Sequence, residues 1–177
     1  ASNGYRVLLL TECDNNFTNN NAKPIAMILL QDNIRKDAPK TIEWFKQNDV
    51  DIKIISGDNP ITVSEVARRV GVDNYDKYIS LQGLSNTEVM EAATKYSIFG
   101  RVSPEQKAIL VKALKSQGKT VAMTGDGVND ILALKEADCS VAIAAGSDAA
   151  RSVSQLVLLD SNFSSMPSVV AEGRRVV

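Results

Sequence analysis

The chain has 177 residues, 44% of them hydrophobic, enough to bury one sizeable core. A net charge of −1 gives no polybasic surface, so no nucleic-acid partner is expected, and the absence of histidine excludes histidine triads and histidine metal ligands. No apolar run approaches the ~20 residues that span a bilayer and no signal-peptide pattern opens the chain, so this piece is expected to be soluble by itself.

Residues 4–12 form an apolar strand pattern, followed by a polar, Asn-rich loop over 14–21 and a second apolar strand over 24–30. Asp32-Asn33-Ile34-Arg35 leads into a helix from about Asp37, with Ala38, Ile42 and Phe45 on one face. A strand over 51–55 then runs into Ser56-Gly57-Asp58-Asn59-Pro60. Asn59 can cap the next helix and Pro60 suits its first turn; Val63, Val66, Ala67 and Val70 give an apolar stripe that Gly71 ends. Ser85 and Glu88 form a capping box for a helix through Val89, Met90 and Ala93, and Ile98-Phe99 reads as a short strand. Ser103-Pro104-Glu105-Gln106 opens a further helix, a strand over 119–123 runs into Thr124, and residues 139–144 and 156–159 supply later strands. This alternation predicts an α/β fold with a doubly wound, mostly parallel sheet. Cys13 and Cys139 form no CxxC and fit two buried thiols in a reducing compartment.

Thr124-Gly125-Asp126-Gly127-Val128-Asn129-Asp130 places two carboxylates and a carboxamide between a strand and a helix. Open α/β sheets bind ligands at the carboxyl ends of their strands, and Mg2+ takes one or two carboxylates beside phosphate oxygens, so the loop predicts a magnesium and phosphoryl site. The same composition also suits an acidic surface turn. An EF-hand does not fit, because the twelfth position counted from Asp126 is Ala137, where a Glu is required. Ser56-Gly57-Asp58 repeats the strand-end layout, and its hydroxyl and amides can donate to phosphate oxygens. Lys107 is anomalous. It sits in a helix's first turn, facing the positive end of the dipole, and shares the face of Leu110, Val111 and Leu114. Either its stem covers apolar surface while the head snorkels, or its ammonium reaches a buried phosphoryl group or carboxylate. Gly118-Lys119-Thr120 is not the end of a P-loop, because position 113 is Ala113 and the triplet precedes its strand.

Together these residues resemble the phosphorylation domain of P-type cation-transporting ATPases, within the haloacid-dehalogenase superfamily. Thr124 to Asp130 is similar to the family's hinge-and-magnesium motif, Ser56-Gly57-Asp58 to its phosphate-binding motif and Lys107 to its phosphate-facing lysine. Asp32 and Arg35 resemble the Asp-x-x-Arg hinge where the nucleotide-binding domain rejoins the phosphorylation domain. Residues 134–138 and 157–163 continue the pattern toward a membrane stalk. Ser56 stands where threonine is commoner and Ile131-Leu132 where many members have Ala-Pro; neither change removes a ligand.

The resemblance implies a Rossmann-like haloacid-dehalogenase fold, with residues 1–23 a remnant of the nucleotide-binding domain and 24–177 the phosphorylation domain. It implies that Asp126 and Asp130 hold Mg2+, that Lys107 neutralises phosphoryl charge, and that Ser56, Gly57, Asp58 and Asn129 position phosphate or support the loop. ATP, a transported cation, with calcium the candidate, and the remaining nucleotide-binding and transmembrane domains would be partners, with this segment on the cytoplasmic side of a membrane. The family's Asp-Lys-Thr-Gly-Thr nucleophile motif does not occur in the chain, and Asp49-Val50-Asp51 lies at the wrong end of its strand to replace it. An excised, catalytically incomplete piece is therefore expected, short of the strand that lies between those ending at Ser56 and Thr124. Two alternatives stay open: a free-standing phosphatase of the superfamily, and a non-catalytic magnesium- or phosphate-binding module.

Overall fold

The computed structural model describes residues 5–13, 22–31, 33–160 and 162–176. Asp32 and the polar loop over 14–21 lie outside the described residues. The chain opens with β1 (Arg6–Glu12) and β2 (Lys23–Leu30), then alternates through α1 (Ala38–Gln47), β3 (Ile54–Ile55), α2 (Pro60–Val70), β4 (Tyr78–Ser80), α3 (Asn86–Lys95), β5 (Ile98–Gly100) and α4 (Pro104–Ser116). It continues with β6 (Ala122–Gly125), a 3₁₀ turn at Val128–Asp130, α5 (Ile131–Glu136), β7 (Cys139–Ile143), α6 (Asp148–Val153), β8 (Leu156–Leu158) and α7 (Met166–Val176).

The helix starts follow from local chemistry. Asn59 Oδ1 accepts the Ile61 amide at 2.9 Å, and Ser85 with Glu88 and Ser103 with Gln106 close reciprocal capping boxes. Each such cap contributes about 1 kcal/mol. Gly71 ends α2 in the left-handed region at φ 82°, its amide donating to the Arg68 carbonyl while Val72 donates to Ala67. Val89 and Ala93 of α3 are buried, whereas Met90 faces solvent. Cys13, expected to be buried, is exposed, and Cys139 is half-buried; both are free thiols.

Parallel pairing is confirmed, but in two separate three-stranded sheets, ordered β3-β5-β4 and β6-β7-β8. The central strands carry the core: Ile98 and Phe99 of β5 and Val141 and Ala142 of β7 are fully buried. The flanking strands are shorter than the apolar patterns suggest. Only Ile54 and Ile55 of the expected 51–55 strand pair, with Ile98 and Phe99, because the partner strand β5 spans only Ile98–Gly100. The 119–123 strand is displaced to Ala122–Gly125; Val121 just before it is held by Asp138, whose carboxylate accepts the Val121 amide at 2.9 Å. Among the described residues β6 pairs only with β7, so β3 and β6 are both edge strands of sheets whose other edges are β4 and β8.

The strand at 24–30, expected to open the parallel alternation, instead pairs antiparallel with β1 from Arg6↔Leu30 to Glu12↔Lys23. The hairpin thus straddles the domain boundary expected at residue 23. Successive side chains of a strand alternate faces. Because Val7, Leu8, Leu9 and Leu10 are all exposed, as are Ile25 and Met27 through Leu30, both faces of the hairpin present apolar surface. Val7–Leu10 is engaged with β2 and fills neither open sheet edge.

Candidate functional site

β6 delivers Thr124 and the buried Gly125 to the strand end, and the chain then turns through Asp126 and Gly127 into the 3₁₀ turn. A Cβ on Gly125 would lie 2.5 Å from Cβ of Asp130, so only glycine lets the loop fold back this tightly. Asp130 is buried and faces inward. Its Oδ2 accepts the amides of Asp126 at 3.3 Å and Gly127 at 3.2 Å, while Oδ1 takes the Lys107 ammonium at 2.6 Å. Both partners of that ion pair are largely withdrawn from water, with side-chain exposures of 14% for Lys107 and 9% for Asp130. Lys107 therefore does not snorkel: its head is turned inward to a carboxylate. Asp126 is the opposite case, since its exposed carboxylate makes no hydrogen bond or ion pair with the described residues. Asn129 is also exposed at the rim of the loop.

The second loop is pinned to β5 and the turn after it. The Ser56 amide donates to Phe99, the Val102 amide to Ser56 and the Arg101 amide to Asp58, at 2.9, 3.1 and 2.9 Å. Gly100 is confined against Pro60, which a Cβ would approach to 2.5 Å. Ser56 Oγ accepts the Asp58 amide at 3.1 Å, so that amide is already used and the hydroxyl proton remains the serine's donor. Gly57 is exposed, and a Cβ there would meet nothing within 4 Å.

α4 links the end of β5 to the carboxylate loop. It begins just beyond β5, and Lys107 in its first turn reaches Asp130 just beyond β6, so the carboxyl ends of the two sheets open on the same side. Ser56, Gly57 and Asp58 come from one sheet; Asp126, Asn129 and Asp130 come from the other. Arg35 lies elsewhere. Its guanidinium donates to Asn162 Oδ1 at 3.3 Å, and Asn162 donates to Asp37 Oδ2 at 3.2 Å, which ties the entry of α1 to the segment before α7. Hydrogen bonds from Ser164 and then Asn162 hold the Asp37 carboxyl below its ordinary range, and those from Ser165 and the Asn162 amide do the same for Asp160.

No cluster of three or more His, Cys, Asp or Glu side chains suited to a metal exists among the described residues. An Mg2+ ion would rest on the open Asp126 carboxylate and on oxygens from a phosphoryl group, with Asp130 beside it. That sparse, oxygen-only donor set suits Mg2+. Sequence reasoning missed a third strand-end turn, Ala144 to Asp148 after β7, which abuts the Asp126 peptide: the Ser147 amide donates to the Asp126 carbonyl at 2.7 Å. Its Gly-Ser-Asp triplet following an apolar strand was the available signal.

Comparison with known proteins identifies the family. A match to the haloacid dehalogenase-like hydrolase family covers residues 3–138. The chain is 48% identical over 153 residues to the probable cation-transporting ATPase exp7 of Streptococcus pneumoniae, covering 86% of this chain and 20% of that protein. It is 43% identical over 181 residues to the calcium-transporting ATPase CtpE of Mycobacterium tuberculosis, covering 100% of this chain and 23% of the relative. Among solved structures, a zinc-transporting PIB-type ATPase in its E2.Pi state aligns with a TM-score of 0.61 at 27% identity, over 90% of this chain and 21% of that one. The chain thus spans about a fifth of the length of these relatives. The paired strand-end loops, the parallel α/β sheets and the family match lead to one conclusion: this chain belongs to the haloacid dehalogenase-like hydrolase family.

Proposed function

We propose that this chain is the phosphorylation-domain part of a P-type ATPase that couples ATP hydrolysis, through an aspartyl-phosphate intermediate, to cation transport across a membrane. Calcium is the first candidate cation, because the CtpE relatives are calcium-transporting ATPases. The observation that carries the reading is the Lys107–Asp130 contact beside the open Asp126, which ties the start of α4, just beyond β5, to the carboxylate loop.

In this reading a carboxylate on a strand outside this chain attacks the γ-phosphorus of ATP and ADP leaves; water later cleaves the acyl phosphate. The Ser56 hydroxyl and Gly57 amide donate to phosphoryl oxygens. Asp130 occupies one proton of the Lys107 ammonium and orients it; the other two can meet phosphoryl charge where little water competes. Asp126 is the open ligand for Mg2+, Asp130 holds the loop that presents it, and Asn129 lines the rim. Bound Mg2+ would supply charge neutralisation for the transferring group.

The nucleophile strand would sit against the edge strands β3 and β6, whose ladders lack a second partner among the described residues. The exposed hairpin is the junction with a nucleotide-binding domain, which would cover its apolar faces. Among the described residues no helix is long and apolar enough to cross a membrane. In this reading the cation path lies in other parts of the polypeptide, and this segment works on the cytoplasmic side. The test is radiolabelled ATP with Mg2+ on membranes carrying the intact polypeptide. Acid-stable, hydroxylamine-labile label that K107A strongly reduces is expected, and its absence from the intact polypeptide would sink the reading.

A further inference from the structure

Arg151 has no part in the roles assigned so far, yet its guanidinium is the anchor of the turn behind Asp126. Its Nη1 donates to the carbonyls of Ala144 at 2.6 Å and Gly146 at 2.7 Å, and Nη2 pairs with Asp148. The amides of the same turn are fixed separately: Ala144 donates to Leu158 and Gly146 to Ile143. The turn presses directly on the carboxylate loop. The Ser147 amide donates to the Asp126 carbonyl at 2.7 Å, and a Cβ on Gly146 would lie 2.4 Å from that same oxygen. Two independent contacts therefore set the position of the Asp126 peptide from behind, and Arg151 holds the turn that makes them. A planar fork spreads its donors over two carbonyls and a carboxylate in one fixed geometry, whereas an ammonium offers three donors from a single point.

We infer that Arg151 is a positioning residue for the metal ligand: it clamps the Ala144–Asp148 turn against the Asp126 backbone and so fixes where the Asp126 carboxylate points. The inference rests on the reading of Asp126 as the Mg2+ ligand. Groups that orient a ligand from outside the coordination sphere typically change metal affinity by about 10–100-fold when removed.

The test is Mg2+ titration of the isotopically labelled chain, followed through the amide resonances of Gly125 to Gly127, together with hydrogen exchange at the Ser147 amide. D126N should abolish the saturable shifts. R151A should weaken apparent Mg2+ affinity by about tenfold or more and speed Ser147 exchange, with R151K intermediate. A merely structural arginine would lower the melting temperature while leaving affinity well below that temperature unchanged. Affinity within twofold of the parent chain in folded R151A, with D126N abolishing binding, overturns the inference. Unchanged binding in D126N overturns the metal reading itself, and this inference with it. Should R151A not fold, G146A keeps Arg151 and displaces the Asp126 peptide directly; weakened Mg2+ binding supports the clamp, and unaltered binding refutes it.

Discussion

Replacing Lys107 with methionine tests what the inward-facing ammonium does for the fold. Spacing alone suggests a neutral or slightly stabilising change, since a first-turn cation opposes the helix dipole. The contact with Asp130 reverses that sign. Lys107 and Asp130 are 14% and 9% exposed, and removing the ammonium leaves a buried carboxylate held by two amides alone. Removing the charged partner of a buried pair costs about 3–5 kcal/mol. The surviving amide bonds place this case at the lower end, about 3 kcal/mol. For a chain of this size that corresponds to a fall in melting temperature of about 6–12 °C. The assay is thermal and urea unfolding of K107M, D130N and the double variant. K107M alone should be severely destabilised, while K107M/D130N should recover much of the loss, giving a coupling energy of about 2 kcal/mol or more. A K107M variant within about 0.5 kcal/mol of the parent and a coupling near zero would show that the pair is not a buried partnership in solution.

Gly125→Ala should destabilise by about 2 kcal/mol through its clash with Asp130, whereas Gly57→Ala, with open space around its Cβ, should melt like the parent; equal effects in chemical denaturation would contradict the loop packing. A synthetic peptide carrying the family's nucleophile strand and its Asp-Lys-Thr-Gly-Thr motif should raise the melting temperature and slow amide exchange in β3 and β6, and a peptide with polar substitutions at its apolar positions should not. If the authentic peptide does nothing and both strands are already fully protected in a monomer, the edges are not open. Asp37 and Asp160 have carboxyls held below their unfolded value of 3.8, so the stability they add is present above that pH and is lost as pH falls through their lower folded values. Unfolding titrations between pH 5 and about 2 should show this loss, and S164A with S165A should flatten it; an unchanged slope would exclude those hydroxyls as its source.

The features legible in the sequence are those that need only neighbours along the chain. Asn59, Ser85 and Ser103 cap their helices through bonds two or three residues away, and Gly71 ends α2 because an αL turn suits a residue without Cβ. The alternation of apolar strands and amphipathic helices was enough for a parallel α/β class, and the strand-end loops around Ser56 and Asp126 were visible as Gly-Asp turns after apolar runs. Strand extent and pairing were not legible in this way. A ladder forms only where a neighbour is present, so an apolar run from 51 to 55 yields two paired residues, and residues 23–30 pair with β1 instead of joining a parallel sheet. Nor can spacing identify the partner of Lys107, which lies 23 positions further along the chain, or distinguish the two acidic residues of one loop. Tertiary packing sends Asp130 inward to an ammonium and two amides and leaves Asp126 open, because Gly125 admits the Asp130 side chain and the turn held by Arg151 supports the Asp126 peptide from behind.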